Sequence, residues 1–166
     1  VRAPLMALPS QGFVNTHPSY LPYNRGKHYN FWALVEQCPF GVTLHFIDGG
    51  VDTGDIIAQQ EIPYSWEDTG ESLYRRAQIA MFELFRETYP HLRSGGITRH
   101  KQDLSVGTAH KANELENASR IELDRSYPAR DLLNRLRART FSGHPACWFE
   151  VGDEKFEVRI DIRKVR

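Results

Sequence analysis

The sequence predicts an α/β domain, and three observations predict it. Two short stretches, from Phe13 to His17 and from Gly41 to Ile47, read as strands running out into loops punctuated by Gly or Pro. A long amphipathic stretch from Glu71 to Leu92 reads as a helix. The composition, 166 residues with 40% hydrophobic and 25% charged, is that of an ordinary globular chain of one domain, or one domain and a fragment.

Val1 to Gln11 reads as the tail of an earlier element, because a parallel sheet needs strands ahead of Phe13; sequence preceding Val1 is expected. In the first strand, Pro18 biases His17 away from helix, and the two-residue period sets Asn15 and His17 on one face at a strand end. Lys27 to Gln37 is a helix with Tyr29, Trp32, Ala33 and either Leu34 or Val35 near one face, broken by Pro39-Phe40-Gly41. The strand ending at Ile47 runs into an acidic, glycine-rich loop that closes at Asp55. Ile56 to Pro63 is the next strand, and the two either pair as neighbours or are joined by a short connection.

Thr69 suits the N-cap of the long helix and Glu71 its first turn. Its stripe is Leu73, Ala77, Ala80, Leu84, Phe85 and Tyr89, and Pro90 followed by Gly95-Gly96 ends it. Residues 97–124 read as a polar loop crossing the surface. Ser126 to Phe141 is a second helix, with Pro128 in its first turn and Leu132, Leu133 and Leu136 buried. A hairpin, Ala146–Val151 and Lys155–Ile162 around residues 152–154, closes the chain. The division expected is 1–97 for the catalytic half and 98–166 for an extension of loop, helix and hairpin.

Lys plus Arg equals Asp plus Glu at 21 each, so no net field draws in nucleic acid. No apolar run approaches the roughly 20 residues of a membrane helix, and no secretory signal opens the sequence. Cys38 and Cys147 lie far apart without a partner at ligand spacing, and both read as reduced, buried cysteines of a cytoplasmic protein.

The chemistry concentrates in the two strand ends. Asn15 offers an amide donor for a developing oxyanion, His17 an imidazole that titrates near neutrality, and Asp52 a carboxylate to orient it. Asp48, Asp52 and Asp55 also suit turns, and oxygen ligation of a metal is disfavoured because no fixed Glu closes the loop. Gly49, Gly50 and Gly54 allow a flat ligand close to backbone. Tyr23, Arg25, Lys27 and His28 are either a solvated loop or a phosphate and sugar site beside His17.

Asn15-Thr16-His17-Pro18-Ser19, running on to Leu21-Pro22 and Arg25-Gly26, followed by Gly41-Val42-Thr43, His45, Asp48 and Asp52-Thr53-Gly54-Asp55, resembles the folate-dependent formyltransferase family over nearly the whole chain. Tyr23 to Trp32, Gln102-Asp103-Leu104 and Arg137 to Phe141 are similar to the branch that formylates amino sugars on nucleoside diphosphates. The resemblance implies a Rossmann-like formyltransferase domain lacking its first strands. It implies 10-formyltetrahydrofolate as co-substrate, held against Ile47, Asp48, Gly49, Gly50 and Val51, with no metal. By the same resemblance Asn15, His17 and Asp52 are catalytic: Asn15 holds the oxyanion, His17 shuttles a proton, and Asp52 orients His17 or acts through water. Tyr23, Arg25, Lys27 and His28 then bind a nucleotide-linked amino sugar, most specifically dTDP-4-amino-4,6-dideoxyglucose. No nucleic-acid or membrane partner is expected, and a homodimer through the C-terminal region is. Two other readings are a methionyl-tRNA formyltransferase, which calls for a further C-terminal nucleic-acid-binding domain and a basic balance, and a non-catalytic module that binds folate or a partner and associates through an open sheet edge.

Overall fold

The computed structural model describes residues 3–6 and 8–165, and the readings made on Val1, Arg2 and Ala7 lie outside them. A short helix α1 (Ala3–Met6) precedes β1 (Val14–His17), β2 (Arg25–Gly26), α2 (Tyr29–Glu36), β3 (Gly41–Phe46) and β4 (Ile56–Glu61). Then come α3 (Gly70–Ser94), β5 (Ala109–His110), α4 (Glu114–Ser119), α5 (Ala129–Arg139), β6 (Cys147–Val151) and β7 (Glu154–Val158).

Strand β3 is the centre of the molecule. Its six residues are all buried, and it lies between β1 and β4, antiparallel to both among the described residues. The two strands whose relation the sequence left open are therefore direct neighbours. Alternation splits β3 into two faces. Val42 and Leu44 join Leu73, Ala77, Ala80 and Leu84 of α3 and Phe31 and Leu34 of α2 in one core cluster. Thr43 and His45 take the opposite face, where Thr43 anchors the loop after β1: its hydroxyl donates to Ser19 O at 2.7 Å and accepts from Leu21 N at 3.1 Å.

Helix α3 starts in a capping box: Thr69 Oγ1 accepts from Ser72 N and Ser72 Oγ accepts from Thr69 N. It runs through Pro90 to Ser94, further than expected, because a proline removes one ladder bond but the last turn still closes, with Gly95 at φ 74 and Gly96 N donating to His91 O. Leu73, Ala77, Ala80 and Leu84 are buried as the stripe predicted, whereas Phe85 and Tyr89 are 39% and 46% exposed. They line, with Val14 of β1 and Phe46 of β3, a cavity of about 760 Å³.

Three other expectations change. Residues 97–124 are not a plain loop: they contain β5, parallel to β2, and α4. Neither element is long enough to show a hydrophobic period, and β5 is only two residues. On α5 Leu136 is buried but Leu133 is 40% exposed; the helix buries Asn134, Arg137 and Ala138 instead. Arg137 Nε donates to Asn134 Oδ1 at 2.9 Å and its Nη1 to Ser65 O at 2.5 Å, so its charge is turned inward onto oxygen acceptors. Strand β7 stops at Val158, opposite Cys147, because β6 offers no residue beyond to pair with Arg159 to Ile162. No described helix is long and apolar enough to cross a membrane.

Candidate active site

The register of β1 on β3 builds the site. Asn15 lies opposite His45 and His17 opposite Thr43. His45 Nδ1 is 2.8 Å from Phe46 O. A carbonyl only accepts, so Nδ1 carries the proton, and the lone pair of Nε2 faces Asn15 Nδ2 at 3.3 Å. That contact orients the amide, which retains a second N–H to donate. Sequence reasoning omitted His45 from the site. Its signal was there, in the alternation of β3, but reading it required knowing that β1 and β3 pair in antiparallel register.

His17 is 5% exposed. Its Nε2 lies 3.2 Å from Asn24 O, which again makes that nitrogen the donor, and its Nδ1 lies 3.5 Å from Asp52 Oδ2. Burial lowers the His17 pKa from 6.5; the Asp52 carboxylate and the Asn24 carbonyl raise it but do not overcome the loss of water. Burial thus works against the charged ring, whose Nδ1 faces Asp52. Tyr29 packs edge-on against it at 5.6 Å between ring centres.

Asp52 sits at φ 53, in the left-handed region that costs a side-chain-bearing residue roughly 1–2 kcal/mol. Besides His17, three residues contact it. Gly26 N donates to Oδ2 at 2.9 Å. Gln102 Nε2 donates to Asp52 O at 2.9 Å and to Gly54 O at 2.7 Å. His45 Nε2 approaches Oδ1 at 3.6 Å. Both glycines are required by space: a Cβ on Gly26, at φ 90, would strike His110 O, and one on Gly54 would strike Phe46 O.

The loop residues Ile47, Asp48, Gly49, Gly50 and Val51 flank the site. Gly49, Gly50 and Val51 are exposed, and Ile47 is tied down by its N–H to Phe13 O at 2.8 Å. Asp48 is spent within the loop, where Oδ1 accepts from Gly50 N at 3.0 Å and from Thr53 Oγ1 at 2.6 Å. Among the described residues no cluster of His, Cys, Asp or Glu is arranged to hold a metal ion.

The four residues expected to bind substrate divide. Lys27 and His28 line a cavity of about 570 Å³ with Tyr29, Tyr74, Arg139, Phe141 and His144. Arg25 turns to β5, giving Nε to Thr108 O at 3.4 Å, and Tyr23 is half-buried with its N–H on Tyr20 O. Cys147 is buried as expected, but Cys38 is only half-buried and accepts from Asn24 Nδ2 at 3.0 Å. Burial pushes the two thiols up to about 11 for Cys38 and about 12 for Cys147.

The family profile described as formyl transferase matches residues 2–88, and that described as the N-formyltransferase dimerization C-terminal domain matches residues 114–164. A dTDP-4-amino-4,6-dideoxyglucose formyltransferase of Mycobacterium tuberculosis is 34% identical over 149 residues, which cover 89% of this chain and 63% of the relative. A methionyl-tRNA formyltransferase of Koribacter versatilis is 38% identical over 137 residues, covering 82% of this chain and 43% of the relative. The solved structure of a formyltransferase from Anoxybacillus kamchatkensis, in complex with UDP-4,6-dideoxy-4-formamido-L-AltNAc and tetrahydrofolate, aligns with a TM-score of 0.66 at 38% identity over 70% of this chain and 61% of that one. The chain thus spans less than two thirds of the length of each of these proteins. Its α/β fold and a match over more than half of its residues agree: the chain belongs to the formyl transferase family.

Proposed function

We propose that the protein of which this chain is part transfers a formyl group from 10-formyltetrahydrofolate to the amine of a nucleotide-linked amino sugar. The observation that carries this reading is the convergence of Asn15, His45, Asp52 and His17, each within 3.6 Å of the next in that order, on one face of the antiparallel pair β1 and β3. The folate donor supplies the activated formyl carbon. Its fit is supported by the loop from Ile47 to Val51, exposed from Asp48 onward. Asn15, held by His45, offers an N–H to the formyl oxygen as it gains charge, a contribution worth about 3 kcal/mol in comparable sites. His17 takes up the proton lost by the attacking amine at Nδ1. Asp52 is the more open of the two side chains, 16% exposed against 6%, so the amine meets the carboxylate first and its proton reaches His17 through Asp52 or a water. The imidazolium so formed is stabilised by that same carboxylate and returns the proton to the folate nitrogen as the bond from that nitrogen to the formyl carbon breaks, leaving tetrahydrofolate and the formamide.

The sugar branch is favoured by the dimerization profile over residues 114–164 and by the cavity lined by Tyr29, whose ring also packs edge-on against His17. Lys27, Arg139 and the aromatic faces of Phe141 and Tyr74 suit a diphosphate joined to a base. The M. tuberculosis relative makes dTDP-4-amino-4,6-dideoxyglucose the first substrate to try. In this reading residues 1–97 carry the reacting groups, residues 98–166 form an extension, and a second copy binds through the terminal hairpin. The K. versatilis relative supports a second reading, formylation of methionyl-tRNA.

The test is formamide production by the purified full-length protein, with the folate donor, from dTDP- and UDP-linked 4-amino sugars and from methionyl-tRNA. Turnover of a nucleotide sugar that falls by ~10²–10⁴-fold in His17→Ala and Asp52→Ala, with folding retained, is the expected result. Turnover of methionyl-tRNA alone establishes the second reading, and no turnover of any amine ends the first.

A further inference from the structure

We infer that Gln102 is a positioning residue for the reaction, and that the segment from His100 to His110 is the strap through which it acts. This inference rests on the proposed role of Asp52. The segment follows the rim of the site and is tied to it along its length. His100 exchanges backbone hydrogen bonds with Ile56 at 2.8 and 2.9 Å. Gln102 Nε2 donates to Asp52 O and Gly54 O. Ala109 and His110 pair with Arg25 and Gly26, and Lys27 N donates to His110 O at 3.0 Å.

Two of these ties end on the same carboxylate-bearing residue. Asp52 is held at its backbone by Gln102 and at its side chain by Gly26 N, whose own place is set by β5. An aspartate at φ 53 does not keep that conformation unaided, since an extended or right-handed backbone is cheaper for it. The Gln102 amide supplies the restraint: two N–H groups, two carbonyls, at 2.7 and 2.9 Å. The amide orientation follows from the partners, because its oxygen turned toward two carbonyls would find no donor. Releasing that clamp lets the backbone at Asp52 relax and carries its carboxylate off His17 Nδ1, now 3.5 Å away. Gln102 touches neither ring nitrogen, so its effect runs through Asp52.

The experiment is a double-mutant cycle in the full-length protein. Gln102→Ala and Gln102→Met, the second filling the same space without a donor, are each made alone and in the Asp52→Ala background, with thermal melts recorded for all. The expected result is a loss in kcat on the order of 10²-fold in either single variant, with KM for the amino sugar within about twofold, and no further loss once Asp52 is already alanine. A full loss from Gln102 in the Asp52→Ala background overturns the inference, as does wild-type turnover in both single variants. Unfolding of both variants also overturns it, because Gln102 is then scaffold. If Asp52→Ala itself leaves turnover intact, it is the role of Asp52 that fails, and the two failures are told apart.

Discussion

In the proposed mechanism His17 takes up a proton, and its burial favours the neutral ring that can do so. Water loss disfavours the imidazolium more than the Asp52 carboxylate favours it, so its pKa lies below 6.5. The sign of two consequences follows. The acid limb of kcat/KM falls below pH 6.5, and a pH–rate profile with that limb above 6.5 would contradict the burial argument. Because the unfolded chain binds the proton more readily than the folded one, the stability that neutral His17 contributes is complete well above pH 6.5 and declines as the pH drops through the range below it. At this scale much could be read in advance: Asn15 and His17 are two apart on a strand, and Asp52 belongs to a turn-rich acidic loop. His45 and Gln102 could not, because the work of each depends on a partner 30 or 50 residues away in the chain.

Among elements, α3 and β3 bear the load. Leu73 is fully buried between them and α2, and Leu73→Ala should cost about 2–5 kcal/mol, read as a lower urea midpoint with an unchanged m value. A cost below 1 kcal/mol would mean that α3 is not the lid of this core. The 3.6-residue period exposed α3 to sequence reasoning along its first half. It failed at Phe85 and Tyr89, since a period shows which residues share a face but not whether that face meets packed side chains or a cavity. It failed differently at α5, where the buried face includes Arg137, a residue that any hydrophobic pattern assigns to solvent. The guanidinium is accommodated by Ser65 O, Asp68 O and Asn134 Oδ1, and by the Trp66 ring at 4.7 Å, none of them predictable from the helix itself. Strand β5 is the extreme case: two residues carry no period, yet they seat Gly26 against Asp52.

For the whole molecule, the hairpin of β6 and β7 stands apart from the main sheet and presents apolar surface. Phe149 and Phe156 stack at 5.5 Å between ring centres, with Phe156 and Val151 exposed. If a second copy covers this surface, Phe156→Lys should halve the mass measured by light scattering while the melt stays cooperative; a wild-type protein that is already monomeric would remove the hairpin dimer. The two cysteines add something practical. With both thiols pushed to about 11 and about 12, almost no thiolate exists near neutral pH in the closed protein. Alkylating reagents thus have little to react with until the structure opens. Cys38 touches Asn24 in the loop after His17 and Cys147 lies at the root of the hairpin, so the order in which they become labelled would tell which of the two regions loosens first, using reporters the sequence already contains.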